Sequence, residues 1–105
     1  MHIQIINFQL KGVTEAEYQQ QCDQLAPAFA DLPGLLSKVW LANSATNTYG
    51  GVYTWRDRQA MEDFTRSELF KGVASDPNLD AITSNDFGIL ESPTRVTNGL
   101  IPTAV

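Results

Sequence analysis

Lys38, Trp40, Tyr53 and Trp55 place an amine, two indoles and a phenol on two short apolar segments of the chain. If residues 35–43 and 49–56 are antiparallel strands whose paired numbers sum to 91, Lys38 faces Tyr53, Trp40 faces Gly51 and Leu36 faces Trp55. Cross-strand partners share a sheet face. The four side chains then collect on one side, with Met61, Phe64, Leu69 and Phe70 available to roof them. A slip of one residue moves the set to the other face. In this register Lys38 stabilises an oxyanion, Tyr53 donates a hydrogen bond to a substrate oxygen, and Trp40, Trp55, Phe64 and Phe70 form a flat apolar slot.

Asn43 and Asp86 complete the candidate set, the first as a hydrogen-bonding partner and the second as a proton acceptor whose pKa would rise on burial. Each of these residues also has a plainer role. Aromatic side chains on strands and helices ordinarily build the core, and an inward lysine on an edge strand discourages edge-to-edge pairing. Asn7, Asn43 and Asp86 suit solvent-facing strand positions. Gly50-Gly51 fits a bend or bulge rather than a phosphate loop. His2 is discounted as a base because it stands beside a terminus, and Cys22 falls among apolar helix positions as a small hydrophobe.

The elements that must position these groups follow from periodicity. Residues 2–10 alternate as a strand, and Thr14 with Glu17 has the spacing of a capping box. Tyr18, Cys22, Leu25, Phe29 and Leu32 then step by four and three along one helical stripe, with Pro27 predicting a kink. Pro33-Gly34 stops the helix ahead of the paired strands. Asp57 and Ser67 each cap a short helix, so the segment after the third strand reads as a broken helix. Asp76-Pro77-Asn78 marks a turn, residues 81–91 a last strand, and residues 92–105 an irregular tail. The order is βαββαβ, an α+β, ferredoxin-like domain with one four-stranded antiparallel sheet and its helices on one face. A second copy of the chain is the simplest cover for the bare face, which predicts a homodimer.

With 105 residues the chain makes a single domain and leaves no room for a separate cofactor domain. Its net charge of -5 and pI near 4.5 argue against nucleic acid as a partner. A single histidine and a single cysteine remove most zinc sites, Ser-His arrangements and any intrachain disulfide. No apolar run approaches the roughly 18 residues of a membrane span, and the first ten residues lack the pattern of a signal peptide. A cytoplasmic protein without membrane partners is the expectation.

Pro33-Gly34-Leu35-Leu36-Ser37-Lys38-Val39-Trp40, followed by Gly50-Gly51-Val52-Tyr53-Thr54-Trp55 and a short acidic helix, resembles the YdhR-like family of monooxygenases over residues 25–97. The resemblance implies a dimeric α+β barrel in which two ferredoxin-like sheets pack together. The wider group includes enzymes that oxidise phenolic polycyclic compounds with O₂ and no flavin, metal or haem. It also includes haem-degrading enzymes that use a helix histidine, which this chain lacks beyond position 2. The implied activity is a cofactor-independent monooxygenase acting on a small aromatic or polyketide-like molecule. A noncatalytic dimer that binds a small hydrophobic ligand, or a lactone isomerase or lyase, remains open beside it.

Overall fold

A computed structural model describes residues 1–101 as β1 (His2–Leu10), α1 (Glu15–Ala30), β2 (Leu35–Asn43), β3 (Thr48–Trp55), α2 (Arg58–Thr65), α3 (Glu68–Ala74), β4 (Leu79–Gly88) and α4 (Glu91–Val96). The four strands form one antiparallel sheet in the order β2-β3-β1-β4, the predicted ferredoxin-like topology. None of the described helices is long and apolar enough to cross a membrane.

Local signals set most boundaries. The Thr14 hydroxyl accepts from the Glu17 backbone N–H at 3.1 Å, and the Glu17 carboxylate accepts from the Thr14 N–H at 2.9 Å, so the capping box forms as expected. Helix α1 runs through Pro27 to Ala30. Asp57 caps α2 through the Ala60 N–H at 2.9 Å, and Ser67 caps α3 through the Phe70 N–H at 3.2 Å, which produces the broken helix. Gly34 follows α1 at φ +78°, where a Cβ would come within 2.5 Å of the Ala60 methyl. Only glycine satisfies both the backbone and the packing there.

Three sequence expectations change. The β2–β3 register sums to 91 from Ser37 to Asn43, placing Lys38 opposite Tyr53 and Trp40 opposite Gly51. A bulge near Leu36 then shifts the pairing, so Leu35, not Leu36, lies opposite Trp55. The last strand spans Leu79–Gly88 rather than residues 81–91, because β1 already pairs with the chain at Leu79. The start of the expected irregular tail is helical, with Glu91 and Arg95 paired at 2.9 Å one turn apart. Residues 97–101 of that tail are irregular as expected, and residues 102–105 lie outside the described residues.

The helix-facing side of the sheet carries Gln4, Ile6, Phe8, Tyr49, Tyr53 and Trp55, all buried. Phe29, Met61 and Phe64 close over them to make the core. The opposite side presents Ile3, Ile5 and Val52, partly covered, with Val39 58% and Phe87 52% exposed. The sheet therefore has one packed face and one open apolar face.

Candidate active site

Helix α1 does not seat its whole apolar stripe on the sheet. Phe29 is buried, but Tyr18 and Cys22 are only half-covered and Leu25 is 41% exposed. The gap is a cavity of about 200 Å³ between α1, α3 and the sheet. Phe8, Trp40 and Tyr53 form its floor, Tyr18, Cys22 and Phe29 one wall, and Leu69, Val73 and Leu79 the other, with Gln21, Glu68 and Asp76 also contributing to the lining.

Lys38 reaches into this cavity from edge strand β2. Its Nζ lies 3.3 Å from the ring centre of Trp40, 3.5 Å from that of Phe29 and 4.7 Å from that of Tyr53. Space for the stem comes from the neighbouring strand, where a Cβ on Gly51 would sit 2.8 Å from Lys38 Cε. Burial pushes the Lys38 ammonium down from 10.5 to about 7, while the nearby Cys22 acts weakly in the opposite sense. The three ring faces also favour the charged form, by roughly 0.5–2 kcal/mol for a cation–π contact. Both protonation states of Lys38 are therefore accessible near neutrality.

Among the described residues no carboxylate lies within ion-pair distance of Lys38, and no protein group hydrogen-bonds its Nζ or the Tyr53 hydroxyl. Burial raises the Tyr53 phenol above its ordinary pKa, with Cys22 adding to the rise, so it stays protonated as a donor. Tyr18 is likewise raised, first by burial and then by Cys22. Burial also raises the Cys22 thiol, which keeps it neutral. The Lys38 amine and the Tyr53 phenol thus face a largely apolar chamber with hydrogen-bonding capacity unspent, while the Tyr18 hydroxyl is engaged with Cys22.

Of the residues singled out from sequence, Lys38, Trp40 and Tyr53 meet at this cavity. Trp55 and Phe64 stand behind it in the core: Trp55 stacks on Tyr53 at 5.8 Å, and Phe64 packs on both at 5.2–5.3 Å. Phe70 contacts Phe64 edge-on at 5.3 Å rather than lining the chamber. Asn43 is exposed at the end of β2, where its side-chain Oδ1 accepts from the Thr46 N–H at 3.3 Å. Asp86 lies on the opposite sheet edge, 2.7 Å from the His2 Nε2. The structure does not bring Asn43 or Asp86 to the cavity. His2, discounted as a terminal residue, is buried and held by that contact.

Sequence reasoning missed Tyr18, Cys22, Phe29 and Val73 as cavity residues. The helical spacing of the first three signals a packed face but carries no sign of where that face stands away from the sheet. No histidine lines the cavity, and no cluster of three or more metal-ligating side chains occurs among the described residues. This donor set does not fit a histidine-ligated haem.

The fold recurs in solved structures. SnoaB, a cofactor-independent oxygenase from Streptomyces nogalater, is 20% identical with a TM-score of 0.67, covering 87% of this chain and 95% of that one. An antibiotic biosynthesis monooxygenase is 14% identical with a TM-score of 0.70, covering 86% and 99%. The heme-degrader MhuD from Mycobacterium tuberculosis is 16% identical with a TM-score of 0.68, covering 86% and 96%. At such identities the likeness is one of fold. No curated protein matches the sequence. The model of the family described as "Putative mono-oxygenase ydhR" matches residues 3–100, nearly the whole chain, and the protein therefore belongs to the ydhR mono-oxygenase family.

Proposed function

We propose that the cavity binds a small phenolic substrate and promotes its oxidation by O₂ without a cofactor. The observation that carries this reading is Lys38, a half-buried amine beside a neutral phenol in a largely apolar chamber. The neutral Lys38 amine takes the substrate's phenolic proton. Transfer from a phenol of pKa about 10 to an amine near 7 is uphill by itself. The ion pair formed with the resulting ammonium, and a hydrogen bond from Tyr53 to the phenolate, offset that cost. The phenolate is electron-rich enough to react with O₂. For an anthrone, a ring CH₂ becomes C=O, one oxygen atom enters the product, the other leaves as water, and the substrate supplies every electron. Exclusion of water by Phe29, Trp40, Leu69 and Val73 protects the intermediates.

An engineered cavity of about 150 Å³ accommodates benzene, so a chamber of about 200 Å³ suits one substituted ring, with more of a fused system extending through the open side. Oxygen uptake with anthrone and hydroquinone panels tests the proposal. Turnover should rise with pH through about 7 as Lys38 loses its proton. Lys38→Met should lower kcat by about 100-fold or more, and Tyr53→Phe by about tenfold. Absence of uptake above the uncatalysed rate across both panels rejects it. The predominantly apolar wall also supports a second reading, retention of a hydrophobic ligand without turnover, for which native mass spectrometry should find an unaltered co-purifying compound.

We also infer that the open sheet face, with the cross-strand row Ile5, Val52 and Val39, is covered by a second copy of the chain. Light scattering should give twice the monomer mass, and Val39→Glu should halve it.

A further inference from the structure

Lys38 has a reactivity that proton transfer does not exhaust. The three lysines occupy different settings: Lys11 is exposed, Lys71 is exposed beside Glu68 at 3.4 Å, and Lys38 alone stands in a cavity. Its Nζ has no carboxylate or carbonyl partner among the described residues and is not sealed from the chamber. The rings of Trp40 and Phe29 hold it from two sides, and the glycine at 51 leaves its stem room. A nitrogen fixed in this way, in a chamber sized for a single ring, is placed to attack an electrophilic carbon rather than only a proton.

We propose that Lys38 forms an imine with apolar aldehydes and ketones that enter the cavity, making it a covalent carbonyl-binding site. The Nζ lone pair adds to the carbonyl carbon, the C=O π pair moves to oxygen, and a proton passes from nitrogen to oxygen to give a carbinolamine. The Tyr53 phenol lends its proton to the departing hydroxyl, which leaves as water, and the resulting phenolate recovers a proton from the nitrogen as the C=N bond closes. The overall change is carbonyl plus amine to imine plus water, with nothing oxidised or reduced. The lowered basicity of Lys38 leaves a substantial neutral fraction at pH 7. The apolar walls slow return of water to the imine.

This site shares the cavity of the proposed oxygenation but requires no turnover, so the two fail separately. Benzaldehyde with sodium cyanoborohydride at pH 7 converts an imine into a stable benzyl amine that peptide mass mapping locates. Lys38 should be benzylated roughly tenfold or more faster than Lys11 or Lys71, given its neutral fraction and a cavity that holds the aldehyde beside it. The preference should vanish in urea, and Lys38→Arg, which keeps the charge and most of the stem, should remove the cavity label with the circular dichroism unchanged. Equal labelling of the three lysines in the folded protein, or an unlabelled Lys38 in a folded protein, overturns the proposal. Retained trapping without oxygen uptake supports the imine site and removes the oxygenase reading alone.

Discussion

The helix-facing side of the sheet has two ends built from similar residues and finished differently. At one end Trp55 donates to Gln4 at 3.1 Å, Gln4 donates to Ser84 at 3.1 Å, and His2 meets Asp86 at 2.7 Å. Helix α2 seals this end with Ala60, Met61 and Phe64. Toward the other end, under α1 and α3, Lys38 and Tyr53 keep their polar atoms free and the packing stays open. Burying a polar group with its partner supplied stabilises a fold, whereas burying one without a partner costs stability and leaves an interaction for a ligand to complete. One end of the surface is closed by its own partners, and the other is the end to which the proposed chemistry is assigned.

Substitution of Trp55 should show the largest effect. Trp55→Ala removes a fully buried indole and its bond to Gln4, and should cost about 3–5 kcal/mol in urea unfolding. Trp40→Ala, at the half-covered end, should cost clearly less; equal losses would erase the distinction.

Lys38→Met should move stability the other way. The folded-state pKa of about 7 lies below the unfolded value, so folding expels a proton between about 7 and 10.5. The penalty for burying the ammonium is fully present below pH 7 and fades as pH rises to the unfolded value. Lys38→Met should therefore stabilise the fold by about 2–4 kcal/mol at pH 6, with the gain shrinking toward pH 10. A pH-independent difference would show that the amine is not desolvated in solution.

Gln4→Leu leaves the Trp55 N–H unpaired and should destabilise by about 1–3 kcal/mol, with little effect on cavity chemistry. Asp86→Asn touches a partly exposed contact and should change stability by less than about 1 kcal/mol. If Asp86→Asn instead abolished oxygen uptake, the separation of the two ends would be wrong.

Much of this arrangement was legible in the residues. Strand alternation, the Thr14 box and the Asp57 and Ser67 caps are local, and local chemistry placed them correctly. The pairing of Lys38 with Tyr53 follows from two strands joined by a short turn. The bulge near Leu36 was hidden because it arises where the strand leaves Gly34, whose carbonyl accepts from the Arg56 N–H at 2.7 Å. The cavity was hidden for a related reason. It is a shortfall in packing between α1, α3 and the sheet, and no single segment records it. Asn43 and Asp86 were indistinguishable by type from site residues, and only the partners they meet set them apart.

Gly50 and Gly51 look like one flexible dipeptide, but they have opposite prospects under mutation. A Cβ on Gly50, at φ +149°, would lie 1.8 Å from the Ile6 carbonyl oxygen, a collision with the central strand's own backbone. At Gly51 the obstacle is the movable side chain of Lys38, together with Tyr53 Cε1 at 3.2 Å. Gly50 thus has no side-chain neighbour whose shortening would make room, while shortening Lys38 should relieve the closer of the two contacts that Gly51→Ala makes. Descendants of this chain that give up the amine are freer to give up Gly51 as well, so the two positions are expected to drift together.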